Sequence, residues 1–473
     1  MESLARPAEA QVERNTSLIL SPLLKSQVGT ILIKGEPGTG KTTLALELLS
    51  IYGKGIYVST RASQEQAIEH HPVLSKLSAE GKILEVRDSN KPPDKYFSFD
   101  DQRFADPRSV LNAVIDSASK ISQPLIILDS WDAIANKIER TERLKVEQSL
   151  ELIASGNKAK LVFLSEQPEL TTVDYLVDAV LTLKNDLHDN HRIRKLEWNK
   201  LRGSEIPHWV TYYTLAGGRF KPFLRERDQE IRGLKPKTFE PISHSERFYS
   251  TGSEDLDSIF GGGIPKGSTI LVEFGKHFGS VSFNLLSTMI RCNFLSNGGC
   301  NITIPSPGVS SFRIKGAVSN YVPKSIIDEG VRVSRFDADD NDPSFFKLDN
   351  SSSSKAMYEF LSEAQKLKGG ANRPCLWTIG VESLEYSYSE EEAFKFCQSV
   401  VQKVRRLNDA CYIVAKYGSN LVRALSDIVD IHLKFESLDG TAMASSFKPW
   451  SQLYQISYDY SQGYPLPVLL PIV

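Results

Sequence analysis

With 473 residues, 41% of them hydrophobic and 24% charged, the chain is too long for one ordinary core. At about 100–200 residues per domain it holds two or three domains. A formal net charge of -2 excludes a global pull toward nucleic acid or anionic lipid, and no apolar run approaches the roughly 18 residues of a membrane span. The opening Met1-Glu2-Ser3-Leu4-Ala5-Arg6-Pro7 lacks the apolar core of a secretory signal, and the odd cysteine set has no C-x-x-C pair. Small buried thiols in a cytoplasmic, reducing compartment are expected.

The first element is a strand, Thr30-Ile31-Leu32-Ile33. It runs into Gly35-Glu36-Pro37-Gly38-Thr39-Gly40-Lys41-Thr42 and then the helix-like Thr43-Leu44-Ala45-Leu46-Glu47-Leu48-Leu49. The loop fits G-x-x-x-x-G-K-[ST], in which glycines let backbone N–H groups turn toward phosphate oxygens and the helix presents its positive end to the same anion. The candidate nucleotide contacts are therefore Gly35, Gly38, Thr39, Gly40, Lys41, Thr42 and Thr43. Lys41 reaches the terminal phosphates, and the Thr42 hydroxyl ligates Mg²⁺.

Strands are next expected at Gly55-Ile56-Tyr57-Val58-Ser59, at Ile83-Leu84-Glu85-Val86, and, after a helix over 109–119, at Leu125-Ile126-Ile127-Leu128. The last ends in Asp129, an acid at the carboxyl end of a central strand and the second candidate Mg²⁺ ligand. A further strand, Leu161-Val162-Phe163-Leu164, leads to Ser165-Glu166-Gln167, which place polar groups at the site. Continuous apolar strands separated by helices imply a mostly parallel sheet covered on both faces. Closely spaced, alternating segments at 180–183, 195–201 and 210–213 read as an antiparallel extension at one edge.

From 223 to 243 the composition turns to mixed charge and proline, Arg225-Glu226-Arg227-Asp228-Gln229-Glu230 leading to Lys235-Pro236-Lys237. Such a stretch buries little and reads as a linker between a domain at 1–222 and another at 244–473. The plan then restarts at 250–268, STGSEDLDSIFGGGIPKGS, ahead of the strand Thr269-Ile270-Leu271-Val272-Glu273.

That entry segment resembles KaiC- and RadA-type members of the RecA superfamily, whose pattern is S-T-G-x-x-x-L-D-x-x-x-G-G-G-[IL]-P-x-G. The resemblance implies an α/β fold of two tandem RecA-like domains. Each would be a mostly parallel central sheet flanked by helices, with an antiparallel edge extension. It also implies ATP and Mg²⁺ as cofactors and a homo-oligomer, in the family a hexameric ring. Lys200-Leu201-Arg202-Gly203-Ser204 is similar to the family's K-x-R-G-[ST] element. There the lysine and arginine reach a neighbouring subunit's γ-phosphate, so Lys200 and Arg202 join the candidate contacts.

Two departures stand out. KaiC-like proteins place a pair of glutamates after the second strand, where this chain has Arg61 and Ala62. Neither orients water or takes a proton. Slow hydrolysis is expected, with Lys41, Asp129 and Glu166 as the catalytic candidates or with help from a partner. The Ser59-Thr60-Arg61 run also resembles the GvpD group of archaeal P-loop regulators.

The second half has Phe274, Ser280 and Val281 at the positions of the first glycine, the lysine and the hydroxyl. Its later strand, Pro374-Cys375-Leu376-Trp377-Thr378-Ile379, has no acid directly after it, Glu382 being a displaced substitute, and Lys448-Pro449-Trp450 lacks the arginine. A pseudo-ATPase domain is expected. The leading expectation is an ATP-binding regulatory protein whose nucleotide state controls assembly or a protein partner. The alternative is a RadA-paralogue-like DNA-dependent ATPase, with Arg225, Arg227, Arg232, Lys235 and Lys237 as the nucleic-acid contact. A clock-type autokinase conflicts with the degraded second loop.

Overall fold

The computed structural model describes residues 7–80, 82–83, 96–102, 107–156, 158–167, 169–206, 208–226, 235–335, 342–369 and 373–473. Most of the expected strand at 83–86 and the linker residues 227–234 lie outside the described residues. The chain divides into two compact units, Met1–Leu224 with Pro471–Val473, and Arg225–Leu470.

The first unit runs α1 (Pro7–Leu20), β1 (Thr30–Gly35), α2 (Lys41–Tyr52), β2 (Lys54–Ser59), α3 (Gln64–His70), α4 (Pro72–Ala79), β3 (Tyr96–Asp101), α5 (Pro107–Lys120) and β4 (Leu125–Asp129). It continues with α6 (Trp131–Ala135), α7 (Arg140–Gly156), β5 (Lys160–Ser165), α8 (Thr172–Leu176), β6 (Ala179–His188), β7 (His191–Leu201), β8 (Val210–Thr214) and β9 (Lys221–Pro222). The sheet order is β3-β2-β4-β5-β1-β6-β7-β8-β9. Pairing is parallel from β3 to β6 and antiparallel from β6 onward.

Every residue of β1 is buried, and its alternation explains why. Ile31 and Ile33 enter one apolar cluster with Leu44 and Leu48 of α2, whereas Leu32 enters another with Val110 and Leu150 of α5 and α7. With helices on both faces, an unbroken apolar strand is the stable choice, each buried Leu or Ile contributing about 1.5–3 kcal/mol.

The second unit runs β10 (Phe248–Tyr249), α9 (Glu254–Ile259), β11 (Ile264–Pro265), β12 (Thr269–Phe274), α10 (Ser280–Ser296), β13 (Cys300–Ile304), α11 (Ser311–Ser319), α12 (Lys324–Gly330), β14 (Val331–Arg335) and β15 (Phe345–Lys347). Then follow α13 (Ser353–Lys368), β16 (Cys375–Gly380), α14 (Val381–Ser387), α15 (Glu390–Leu407), β17 (Ala410–Ala415), α16 (Val422–Ile428), β18 (Ile431–Leu438), β19 (Thr441–Lys448), β20 (Tyr454–Asp459) and β21 (Leu466–Pro471). Its sheet order is β15-β14-β13-β16-β17-β12-β18-β19-β20-β21. Laying β12 on β1 brings β13, β16, β17, β18 and β19 onto β2, β4, β5, β6 and β7. The two units are tandem RecA-like domains, each with a mostly parallel sheet, flanking helices and an antiparallel edge.

Even the edge hairpins match. Asp189 and Asn190 join β6 to β7 with φ of 46° and 63°, and Asp439 and Gly440 join β18 to β19 with φ of 47° and 84°. Two successive left-handed residues give the twist that a two-residue hairpin needs.

α15 is specified locally. A Ser389/Glu392 capping box opens it, three glutamates fill its first turn, Arg405 and Arg406 fill its last, and Asn408 at φ 53° ends it. Directly after it, Asp409 is fully buried. It accepts from Lys368 Nζ at 2.5 Å, Cys375 N at 3.0 Å and Trp377 Nε1 at 3.0 Å. Burial raises its carboxyl pKa against the pull of Lys368. All five cysteines are free and buried. Among the described residues no helix is long and apolar enough to cross a membrane.

Candidate nucleotide site

The glycine loop follows β1 at the carboxyl edge of the parallel strands. Gly38 has φ 77°, with open space where a side chain would stand. Gly40, at φ 94°, begins α2, and a Cβ there would lie 2.8 Å from Leu215 Cδ2. Both positions require glycine, one for approach to the site and one for packing.

The loop is held from behind. Tyr213 Oη donates to the Thr39 carbonyl at 2.6 Å, and Arg194 Nη1 to the Gly38 carbonyl at 3.1 Å. Thr39 Oγ1 itself donates to the Glu36 carbonyl at 2.8 Å. With these carbonyls tied back, loop N–H groups are left for an anion. Tyr213 and Arg194 come from β8 and β7. Sequence reading did not find them, and their only signal is a place on strands of the antiparallel extension beyond β6.

Lys41 is buried and donates to the carbonyls of Gly35 at 2.7 Å and Glu36 at 3.0 Å. Burial lowers its pKa, opposed by the nearby Glu166 and Asp129 carboxylates. Thr42 and Thr43 share the first turn of α2 with it, and Thr42 Oγ1 donates to Asp129 Oδ2 at 2.6 Å. The same Asp129 oxygen accepts from Tyr57 Oη at 2.8 Å. Burial, then Asp129, raises the Tyr57 pKa well above its ordinary value, so the phenol stays a donor. A hydroxyl and a carboxylate side by side are the hard oxygen donors that Mg²⁺ takes, so these residues fit the ion.

β2 and β4 are knitted together beyond their ends. Thr60 N donates to the Asp129 carbonyl at 2.7 Å, and Ser130 N to Thr60 Oγ1 at 3.0 Å. This places Arg61 against Glu166, with a two-pronged bond of 2.5 and 2.9 Å. The guanidinium holds the Glu166 carboxyl below the usual range. Buried Asp132 fixes the chain beneath, accepting from Ser165 Oγ at 3.0 Å and Glu166 N at 2.5 Å. Glu65 lies exposed in the first turn of α3.

The loop, Asp129 and Glu166 thus converge, while Lys200 and Arg202 stand apart. Lys200 Nζ donates to the carbonyls of Asp174 and Tyr175, and Arg202 to those of Tyr175 and Leu176. These bonds cap the carboxyl end of α8 rather than reaching the loop.

In the second unit, Phe274 closes the corresponding cradle. Its ring packs on Phe278 and Phe283 at 5.3 and 4.7 Å between centroids. The charged run at 225–230 was expected to bury little, yet Glu226 is seated here. Its carboxylate accepts from Ser282 Oγ in the first turn of α10, and a Cβ on Gly279 would meet Glu226 Oε2 at 3.2 Å. The main chain is pinned by Glu226 N donating to the Gly440 carbonyl at 2.8 Å. A carboxylate of the chain therefore lies at the helix end that attracts anions.

Glu382 is not a stand-in for the missing acid. It accepts from Lys416 N after β17, as Asp132 accepts from Glu166 N after β5.

Burial raises the Glu226 pKa, with Ser282 opposing. A carboxyl raised on folding favours the folded state below its unfolded pKa, and that support fades as pH climbs through the folded value. Glu226→Gln is expected to flatten the urea midpoint of the second unit across that window. Glu226→Ala is expected to cost about 1 kcal/mol by leaving Ser282 and the helix end unpaired. Equal pH profiles for parent and Gln variant would contradict the assignment.

Residues 21–200 match the family described as GvpD gas vesicle protein, P-loop domain. Protein GvpD2 of Halobacterium salinarum is 25% identical over 471 residues, covering 94% of this chain and 93% of that protein. Protein GvpD1 of the same organism is 23% identical, covering 97% and 98%. The circadian clock oscillator protein KaiC of Nostoc sp. is 25% identical over 58% of this chain and 52% of its own length. The chain is a KaiC-like P-loop protein of the RecA superfamily, related along nearly its whole length to the GvpD proteins.

Proposed function

We propose that the first unit binds ATP with Mg²⁺ and acts as a regulatory switch, its nucleotide state controlling self-assembly or a protein partner. The second unit serves as a pseudo-ATPase scaffold. The observation that carries this is the convergence of Lys41, Thr42 and Asp129 at one glycine loop while Arg61 engages Glu166, the candidate base. Lys41 and the loop N–H groups take the phosphates, and Thr42 with Asp129 takes the metal and its waters. A carboxylate bonded twice to a guanidinium has two of its lone pairs engaged and a lowered basicity, so it is a poor acceptor of a proton from water. Binding outlasts turnover in such a site. The exposed Arg202 and its neighbour Lys200 would exchange their α8 carbonyls for a second copy's γ-phosphate, which would link nucleotide to assembly.

Steady-state turnover measured beside affinity tests the reading. Tight Mg²⁺-ATP binding, turnover well below one per minute, and a rise in mass by light scattering are expected. Fast turnover stimulated by single-stranded DNA would instead support the recombination-type motor. Arg61→Ala frees Glu166, whose carboxyl pKa then climbs toward its ordinary value. Turnover is expected to rise about tenfold or more if Glu166 gains access to water. An unchanged rate in both Arg61→Ala and Glu166→Gln would remove Glu166 from the mechanism.

A further inference from the structure

The second unit buries a cation that the nucleotide reading leaves unused. Arg291, on α10, is 6% exposed. It donates through Nη1 to Ser287 Oγ at 3.0 Å, and its buried Nε has no partner. Among the described residues no carboxylate pairs with it. Burial pushes its pKa down to about 10. Arg291 borders a small cavity with Ser287, Thr378 and Tyr412. The Tyr412 hydroxyl is also buried without a partner. Burial raises its pKa, so it too remains a donor.

A guanidinium offers five donors and no acceptor, so whatever completes it must accept. A buried charge left unpaired is costly, and a hydroxyl such as Ser287 does not neutralise it. The rest of the lining is apolar, with Phe260, Leu433 and Phe435 among it. The cavity measures about 20 Å³, on a scale where one water needs about 10–15 Å³. A second cavity of about 20 Å³ shares the Leu256, Phe260, Leu286, Leu433 and Phe435 walls. That cavity shares Ile259, Phe260, Leu433, Ser446 and Ser451 with an outer groove of about 750 Å³.

We propose that this interior site binds a short-chain monocarboxylate, its two oxygens meeting the Arg291 guanidinium and the Tyr412 hydroxyl and its alkyl tail meeting the apolar walls. The size excludes a nucleotide. The two small cavities together accommodate about three to four non-hydrogen atoms, the size of acetate. A halide would answer the charge and leave the apolar space unfilled. Phe260 and Leu433 line both small cavities and the outer groove, so a shift of these two side chains would open a way in.

The test uses the full chain and sodium acetate labelled with ¹³C at the carboxyl. Saturable binding by NMR is expected, with a rise of several degrees in the thermal midpoint at about 100 times the dissociation constant. Acetamide, which has the same shape without the charge, is expected to do neither. Arg291→Met is expected to abolish both responses. Tyr412→Phe, which keeps the charge, is expected to weaken binding about tenfold. If Arg291→Met does not fold, the Tyr412→Phe affinity decides. The proposal is overturned if acetamide or sodium chloride reproduces the acetate response, if parent chain shows no saturable binding, or if the variants bind like the parent.

Discussion

Lys41→Ala is expected to lose Mg²⁺-ATP binding by about 10–100-fold, the worth of one charge-assisted phosphate contact, or to drop below detection. Lys41 is the one buried cation of the loop, and it now rests on the loop's own carbonyls of Gly35 and Glu36. Its ammonium needs only a short swing to exchange those neutral oxygens for phosphate. The lowered pKa favours that exchange, since a partly desolvated ammonium gains more from an anion than a hydrated one does. Isothermal titration of parent, Lys41→Ala and Ser280→Ala separates the two units. Only the first substitution should change the heat of binding. A Lys41→Ala protein that titrates like the parent would remove the site from the first unit.

The largest stability effect is expected at Asp409. Removing its carboxylate leaves the Lys368 ammonium, the Trp377 indole N–H and the Cys375 amide without their acceptor in a buried pocket. Breaking such a buried pair from one side costs about 3–5 kcal/mol, a large share of the roughly 5–15 kcal/mol that holds a domain together. Asp409→Ala is therefore expected to unfold the second unit at much lower urea. Asp409→Asn, which keeps an acceptor but not the charge, should fall between. Nucleotide binding by the first unit gives an internal control in the same sample. A urea midpoint for Asp409→Ala within error of the parent would show that the network is dispensable.

Short-range pattern made much of this legible. The phosphate loop, Asp129 and the apolar strands around them are local signals, and the structure places each at the same sheet edge. The strand β3 was not, because Tyr96-Phe97-Ser98-Phe99-Asp100-Asp101 sits at the sheet's rim, where polar residues are tolerated and no apolar run forms. Tyr213 and Arg194 were hidden for a different reason. They act on loop carbonyls more than 150 residues away in sequence, and alternation shows only that a strand residue points inward, not what it meets. Asp132 and Glu382 share a task that local sequence does not show, each receiving a backbone N–H from the neighbouring strand's end. Glu226 sat in a run whose composition says solvated linker, and only tertiary contact gives it a role.

If the first unit is the proposed switch, that glutamate makes the two halves respond differently. An anion that belongs to the polypeptide is present at millimolar-scale effective concentration whatever the metabolite pool contains. On the proposed reading, a changing nucleotide pool would fill and empty the Lys41 loop, whereas the helix end beside Glu226 carries the chain's own carboxylate. The protein would then report energy charge through one half alone, against a reference that never changes.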